Sequence, residues 1–478
     1  MSLTSALANA NSGLAAATRT AQVVSSNVAN ALTEGYGRRE VNLGAAVLGG
    51  GGAGVRVTGV ERVVNQVAIN ERRLSEAASG AAEKEATFYA QLNAVLGSSE
   101  DPNSLTGRIA GFEAALISSA ATPESTTQLS TAVNAARDLT SAFNSAAKVI
   151  QDARQSADQS IANQVSQIND ALSIVADLNN QIRTQSVSGF DTTALFDQRQ
   201  QLVDQISEMI PIQEIPREHG RIALMTSNGT ILVEEKAAQF DFSPTSTLVP
   251  EMTIQSGGLS GLSISGSATL AGSALSAISG GGLAATFALR DEAAVNAQAS
   301  LDALARDLIE RTNAPTVDPT IGGGPGLFTD NGAVFDPLDE VGLSARLSLN
   351  AAVDPRAGGE IWRLRDGVGA AVQGPVGETG IINAMHEALS QNQSGATRLP
   401  FSNLASEYQS GVGSALFQAE NRLTFATSQV AAFGDAERAF GVDTDQEMQK
   451  LLSIEQNYAA NARVIQTIDE MMQSLLRI

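Results

Sequence analysis

His219 and His386 are the only imidazoles in the 478 residues, and the chain has no cysteine. Neither histidine stands in a His-x-x-x-His or Glu-x-x-His spacing, the arrangement that puts two ligands on one helix face. The lack of cysteine removes disulfides, thiolate metal sites and thiol nucleophiles together. A serine nucleophile needs a defined turn such as Gly-x-Ser-x-Gly; Gly257-Gly258-Leu259-Ser260-Gly261 is part of a repetitive Gly/Ser stretch instead. The glycine-rich run 49–54 is not followed by Gly-Lys-Ser/Thr, so it reads as a flexible loop rather than a phosphate cradle. Asp443, Asp445 and Glu447 begin like a calcium loop, but Met448 and Gln449 follow where the loop would continue. These acids are read as favouring a helix N-terminus, with Thr444 and Glu447 at capping-box spacing. Asp318, Asp330 and Asp336 lie among Gly and Pro and read as loop acids. No acid/base pair for catalysis emerges, and no cofactor is expected.

Thirty Lys+Arg against fifty-one Asp+Glu leave a formal charge of −21. Nucleic acid and anionic membrane surfaces repel such a chain. Aromatic residues make up 4% and Trp362 is the single tryptophan, too few for base-stacking platforms. No apolar run reaches the roughly 18 residues of a membrane span, so no membrane insertion is expected. The first ten residues lack a basic segment leading into an apolar one, so a cleavable secretory signal is not expected.

What the chain does have is two ends with one pattern. Leu3, Leu7, Ala10, Leu14, Ala17, Ala21, Val24, Val28 and Ala31 recur at alternating steps of four and three. Leu451, Ile454, Tyr458, Asn461, Ile465, Ile468, Met472 and Leu475 do the same, with Asn461 as the polar break. Such spacing makes one narrow seam per helix, the requirement for a coiled-coil partner. The N-terminal seam is rich in Ala, which lets a second backbone approach closely. The two termini are therefore expected to pair with each other or with copies in neighbouring subunits. Isolated helices of this length are marginal, so the ends are expected to be mobile in a monomer and ordered in an assembly. The assembly face comprises Leu3, Leu7, Leu14, Val24, Asn27, Val28, Asn30, Leu451, Ile454, Tyr458, Arg463, Ile465, Ile468, Met472 and Leu475. Asn27 and Asn30 share a face able to hydrogen-bond a neighbouring subunit. Arg463, beside Asn461, is placed for an ion pair or hydrogen bond across a helix interface, and Arg38 and Arg39 read as solvent-exposed.

Between the ends, helical periodicity covers 71–96 and 105–119. Thr122 as N-cap with Pro123 at the first position then opens the longest element, which Gly189 stops. About 60 helical residues span about 90 Å. A helix at 193–209 follows, then a hairpin at 221–233 around Asn228-Gly229, a dipeptide suited to two positive φ angles. The Ser/Gly/Leu-rich stretch 243–282 suggests small strands or loops. Helix resumes at 283–313, 315–337 is loop, and 343–349 is a short strand. Leu416, Ala419, Leu423, Ala426, Val430 and Phe433 form a seam that calls for the long helix as partner.

The fold expected is mainly α with a β-containing insertion: an elongated rod of long helices with paired N- and C-terminal coiled-coil helices. Four regions follow. Residues 1–60 with 441–478 form a terminal helical unit, and 61–210 with 283–314 and 400–440 a long-helix domain. Residues 211–282 form a β-rich, outward-facing region, and 315–399 a loop-rich region with short strands, assigned loosely to the outer part.

Ser26-Asn27-Val28-Ala29-Asn30 followed by Thr33, Gly35-Tyr36 and Arg38 resembles the N-terminal signature shared by flagellar rod, hook and hook-associated proteins. That family often has Ser or Thr where this chain has Gly37. Val442-Asp443, Asp445, Glu447-Met448, Leu451, Gln456, Tyr458, Ala460, Ala462-Arg463-Val464-Ile465, Thr467, Asp469-Glu470-Met471 and Leu475-Leu476 resemble the end of the hook-associated protein 1 family. The resemblance is strong over roughly 45 residues at each end. It implies a structural, non-enzymatic subunit of the bacterial flagellum between hook and filament, stacked as a ring with terminal helices forming an inner tube. It also implies export through the flagellar type III channel, contacts with the hook protein and a second junction protein, and a cytoplasmic chaperone on the C-terminal helix. A hook or rod subunit is the nearest alternative reading; a secreted adhesin or a wall-acting enzyme on an axial scaffold stands further off.

Overall fold

The computed structural model describes residues 3–33, 35–48, 51–98, 100–264, 276, 278–390 and 399–477. The chain is mainly α-helical with a few small antiparallel sheets. Helix α1 (Leu3–Ala29) leads into a hairpin of β1 (Arg38–Leu48) and β2 (Gly51–Val63). Then come α2 (Gln66–Leu96), α3 (Leu105–Ala121), α4 (Thr126–Val187) and α5 (Thr193–Met209). The strands β3 (Ile212–Pro216), β4 (Ile222–Thr226) and β5 (Ile231–Val233) make one antiparallel sheet in that order, and β6 (Phe240–Asp241) pairs with β7 (Ser263–Ile264). Helices α6 (Gly282–Ala288) and α7 (Ala294–Thr312) are joined by a π-helical turn, Leu289–Ala293. The pair β8 (Phe328–Asp330) and β9 (Leu347–Leu349) precedes α8 (Gly380–Ser390), α9 (Phe401–Arg438) and α10 (Thr444–Leu476).

The 62-residue α4, about 93 Å long at 1.5 Å per residue, is the spine. Its N-terminal half, through Leu129, Val133, Leu139, Phe143 and Ile150, enters one hydrophobic core with α3, α7, α8 and β8–β9. Its C-terminal half, through Ile161, Val165, Ile168, Leu172 and Val175, enters a second core with α5, the β3–β5 sheet and α6. Each such fully buried side chain contributes about 1.5–3 kcal/mol. The stretch after Pro315 supplies Leu327, Phe328, Leu343, Leu347, Val353, Ile382, Met385 and Leu389 to the first core, so it packs with the helices rather than with the β-rich region.

Several local expectations are corrected. The cap of α4 is Ser125, whose hydroxyl accepts from Gln128 N at 3.4 Å; the Thr122 hydroxyl is already used, donating back to Ser118 O at the end of α3. Residues 51–54 are not flexible loop but the start of β2, paired along its length with β1, a strand the polar start Arg38-Arg39-Glu40 conceals. Gly49 and Gly50 lie outside the described residues. Gly54, at φ +93°, is needed there because α1 crosses the strand: a Cβ would fall 2.0 Å from Ser12 Oγ. In the β4–β5 hairpin only Gly229 has positive φ; the loop has four residues, and Asn228 serves instead as acceptor for Thr230 N and Oγ1. Residues 343–346 form a helical turn, and only 347–349 a strand. Of the 243–282 stretch, 265–275 and 277 lie outside the described residues. Finally, the seam on α9 is covered chiefly by α2, not by α4. Ala77, Ala82 and Ala86 of α2 and Ala419 and Ala426 of α9 are buried, and such small side chains allow a close backbone approach.

Candidate assembly interface

Helices α1 and α10 run antiparallel against each other: Asn27 meets Glu447 and Gly13 meets Asn461. The polar break in the C-terminal seam thus lies over a glycine, where an added Cβ would sit 2.8 Å from Asn461 Nδ2. On α1, Ala10, Ala17 and Val24 of the expected seam are buried. Ala16 and Val23 are buried too; they share a face with Ser12, whose hydroxyl accepts from Val55 N of the hairpin at 3.1 Å. Helix α1 therefore serves two neighbours at once.

Of the remaining seam residues, Leu3, Leu14, Val28, Leu451, Ile454 and Ile465 are half-buried, and Ile468 is buried. Leu7, Tyr458, Arg463, Met472 and Leu475 are exposed. Arg463 makes no ion pair among the described residues. Helix α10 also leaves Leu452, Val464, Met471 and Leu476 open, the last at 86%. One partner helix does not cover this apolar side.

Asn27 is fully buried and all its hydrogen-bonding capacity is used inside the chain. Its Nδ2 donates to Arg39 O and to Glu447 Oε2, both at 2.9 Å; its Oδ1 accepts from Tyr36 OH at 2.9 Å and Arg39 N at 3.0 Å. Nothing is left for a neighbouring subunit. Asn30 closes its own helix, donating to Ser26 O at 2.8 Å. Glu447 is 1% exposed and, besides Asn27, accepts from Lys450 Nζ at 2.8 Å. It is not a capping-box member: Asp443 caps α10, accepting from Asp445 N and Gln446 N.

Arg38 and Arg39 are not free in solvent either. Arg38 pairs with Glu40 at 2.8 Å. Arg39 lies over the Tyr36 ring and pairs with Asp197 of α5 at 2.7 Å. Asp197 also accepts from Arg62 Nε at 2.8 Å and Gly37 N at 3.0 Å. From there hydrogen bonds continue through Gln200 to Glu437 of α9, Arg72 of α2, Asp204, Arg73 and Glu214. Burial pulls the Arg72 guanidinium down, but Asp204, Glu76 and Glu437 outweigh it and hold the group above the ordinary arginine range. Asp197, Arg62 and Glu437 were not singled out from the sequence, because each is one charge among many on a polar helix or strand.

The chain matches the family model of the flagellar hook-associated protein FlgK helical domain over residues 89–316, and that of the flagellar basal body rod FlgEFG protein C-terminal over 438–478. Flagellar hook-associated protein 1 of Salmonella typhimurium is 28% identical over 245 residues, 50% of this chain and 44% of that protein. Its counterpart in Bacillus subtilis is 25% identical over 240 residues, covering 48% and 47%. In each case the match spans less than half the relative's length. Among solved structures, the flagellar hook junction protein FlgK from Burkholderia pseudomallei is 25% identical, with a TM-score of 0.44 over 54% of this chain and 46% of that one. The two family models cover the helical middle and the C-terminal helix, and with these relatives they show the chain to be similar to the FlgK family of flagellar hook-associated proteins.

Proposed function

We propose that this chain is a structural subunit of the bacterial flagellum, without catalytic activity, that forms the junction between hook and filament and allows the filament to assemble. It self-assembles into a ring, contacting the hook protein on one side and the second hook–filament junction protein on the other. Before that it is held in the cytoplasm with an export chaperone on α10, leaves unfolded through the type III channel, and orders its ends on assembly. One observation carries this reading: antiparallel pairing of α1 and α10 leaves Leu452, Tyr458, Met472, Leu475 and Leu476 exposed by 46–86% on a helix pair from the two ends of the chain. Burying the part of each that remains open against further helices is worth about 1–2 kcal/mol, a driving force available only in an assembly.

The match at 438–478 to a rod-protein C-terminal model keeps a hook or rod subunit as the second reading. Electron microscopy of a strain lacking the gene, with filament subunit assayed in the medium, separates the two. Hooks without filaments, with filament monomers lost to the medium, support the junction; absent hooks support the second reading, and normal filaments refute both.

A further inference from the structure

We infer that the Asp197 carboxylate is a latch that sets the orientation of the terminal unit, formed by α1, β1–β2 and α10, and that it can open without unfolding either part. Among the described residues, neither hydrophobic core contains one from α1, β1, β2 or α10. The unit is joined to the rest covalently at residues 64–65 and 439–443, and noncovalently through charge and hydrogen bonds. Asp197, with 13% of its side chain exposed, takes both sides of the hairpin: Gly37 N at 3.0 Å just before β1, Arg39 Nη2 at 2.7 Å from β1, and Arg62 Nε at 2.8 Å from β2. Arg62 also donates to Gly35 O at 3.0 Å, so the guanidinium bridges the turn and the latch.

A shared apolar core holds two bodies in one packing and resists rotation, because any turn leaves voids. A polar joint exchanges its hydrogen bonds for water and has no such cost, so its orientation depends on a few bonds, of which those to Asp197 are the most buried set beside Arg62–Gln200 and the exposed pair Arg19–Asp191. Gly37 belongs to the device: a Cβ at this position would lie 2.2 Å from Arg62 Nε. Glycine is what lets Arg62 lie across the turn and reach Asp197. The latch does not depend on the flagellar reading. Its use does: subunits of one ring facing two unlike tubes can take different tilts through such a joint.

The test is a spin-label distance measurement on the full chain, which has no native cysteine to remove. Nitroxides at Ser25→Cys on α1 and Ser173→Cys on α4, both exposed positions, report the joint. Asp197→Asn, which turns an amide donor toward the arginines, is expected to widen the distance distribution at least twofold, with far-UV dichroism and thermal melting unchanged. Gly37→Ser, which leaves the carboxylate and displaces Arg62, is expected to do the same. Asp152→Asn, at an exposed pair on α4, is expected to leave the distribution as it was. Distributions as narrow as wild type in both latch variants would overturn the inference. So would broadening in Asp152→Asn, or loss of the body's cooperative melt in both latch variants, which would place Asp197 in a folding core. The isolated chain is measured throughout, so failure of the flagellar reading would not alter the result.

Discussion

Asn27 and Glu447 lie 420 residues apart in sequence and 2.9 Å apart in space, the amide of one donating to the carboxylate of the other. Around this bond α1, β1 and α10 meet. It closes the chain on itself more specifically than the apolar seams do, because both groups are buried and each has partners it cannot replace.

Asn27→Ala would leave Arg39 N and O, Tyr36 OH and one oxygen of Glu447 without this partner in a buried site. The expected loss is about 3 kcal/mol, read by denaturant unfolding and by faster amide exchange in the first turns of α10. Asn30→Ala, which removes a local helix-end bond, should cost about 1 kcal/mol or less.

Leu475 is 61% exposed in the single chain. Leu475→Asp should therefore change monomer stability by no more than about 0.5 kcal/mol and yet abolish motility on soft agar. Leu451→Asp, at a half-buried position, should do both. Unchanged swimming in the Leu475 variant would count against the assembly face.

Beyond Glu447, Ile468 is the one fully buried side chain among the described residues of α10. The distal part of the α1–α10 pair should open far more often than the end held by Asn27. Trypsin is expected to cut the monomer early at Arg463, which is exposed, and at least about tenfold more slowly after assembly. Equal rates in both states would sink the proposal that the ends order on assembly.

Arg290 and Asp158 are both fully buried and paired at 2.6 Å, and Asp158 also accepts from Thr245 N at 2.6 Å. Asp158→Ala leaves Arg290 its paired bonds to Asp291 at 2.8 and 2.9 Å but strips Arg290 Nη1 and Thr245 N of their buried acceptor; a loss of about 1–3 kcal/mol is expected, measured by chemical unfolding. The double change Asp158→Leu with Arg290→Met should cost less than the single one.

The Arg137 guanidinium, hydrogen-bonded at 2.6 and 3.2 Å, holds the Asp354 carboxyl below its ordinary 3.8. Because the folded-state value is the lower one, the unfolded chain takes up the proton first. The stabilisation is thus complete above the ordinary value and is lost as pH falls below it. Urea unfolding between about pH 2 and 5 should show this slope in the wild type and a smaller one in Asp354→Asn. Arg137→Gln should cost about 1–2 kcal/mol at pH 7.

Periodicity and turn residues made α5 legible at both ends, and they disclosed the length of α4 and its stop at Gly189. The same reading located the seam of α9 but assigned it to α4. Alternation of Ala and Leu says that a face is covered, and nothing about which helix covers it. The capping box failed for a related reason. Asp443 and Glu447 both stand where an acid can serve a helix start, and only the arrival of Asn27 from the other end of the chain assigns one to the cap and the other to the crossing bond.

The candidate interface divides along the same line. Sequence alone determined that two terminal helices each carry a one-sided apolar seam, that a chain of charge −21 repels polyanions and carries no thiol, and that the end motifs resemble flagellar ones. Those properties are either complete within a few turns of chain or simple sums over its residues. Tertiary structure decided that α1 and α10 pair antiparallel, that Asn27 spends its bonds inward, and that Asp197 gathers Gly37, Arg39 and Arg62. A carboxylate on a polar helix has no local signature of the donors it will meet. Its partner is set by which backbones the folding of the whole chain brings within 3 Å.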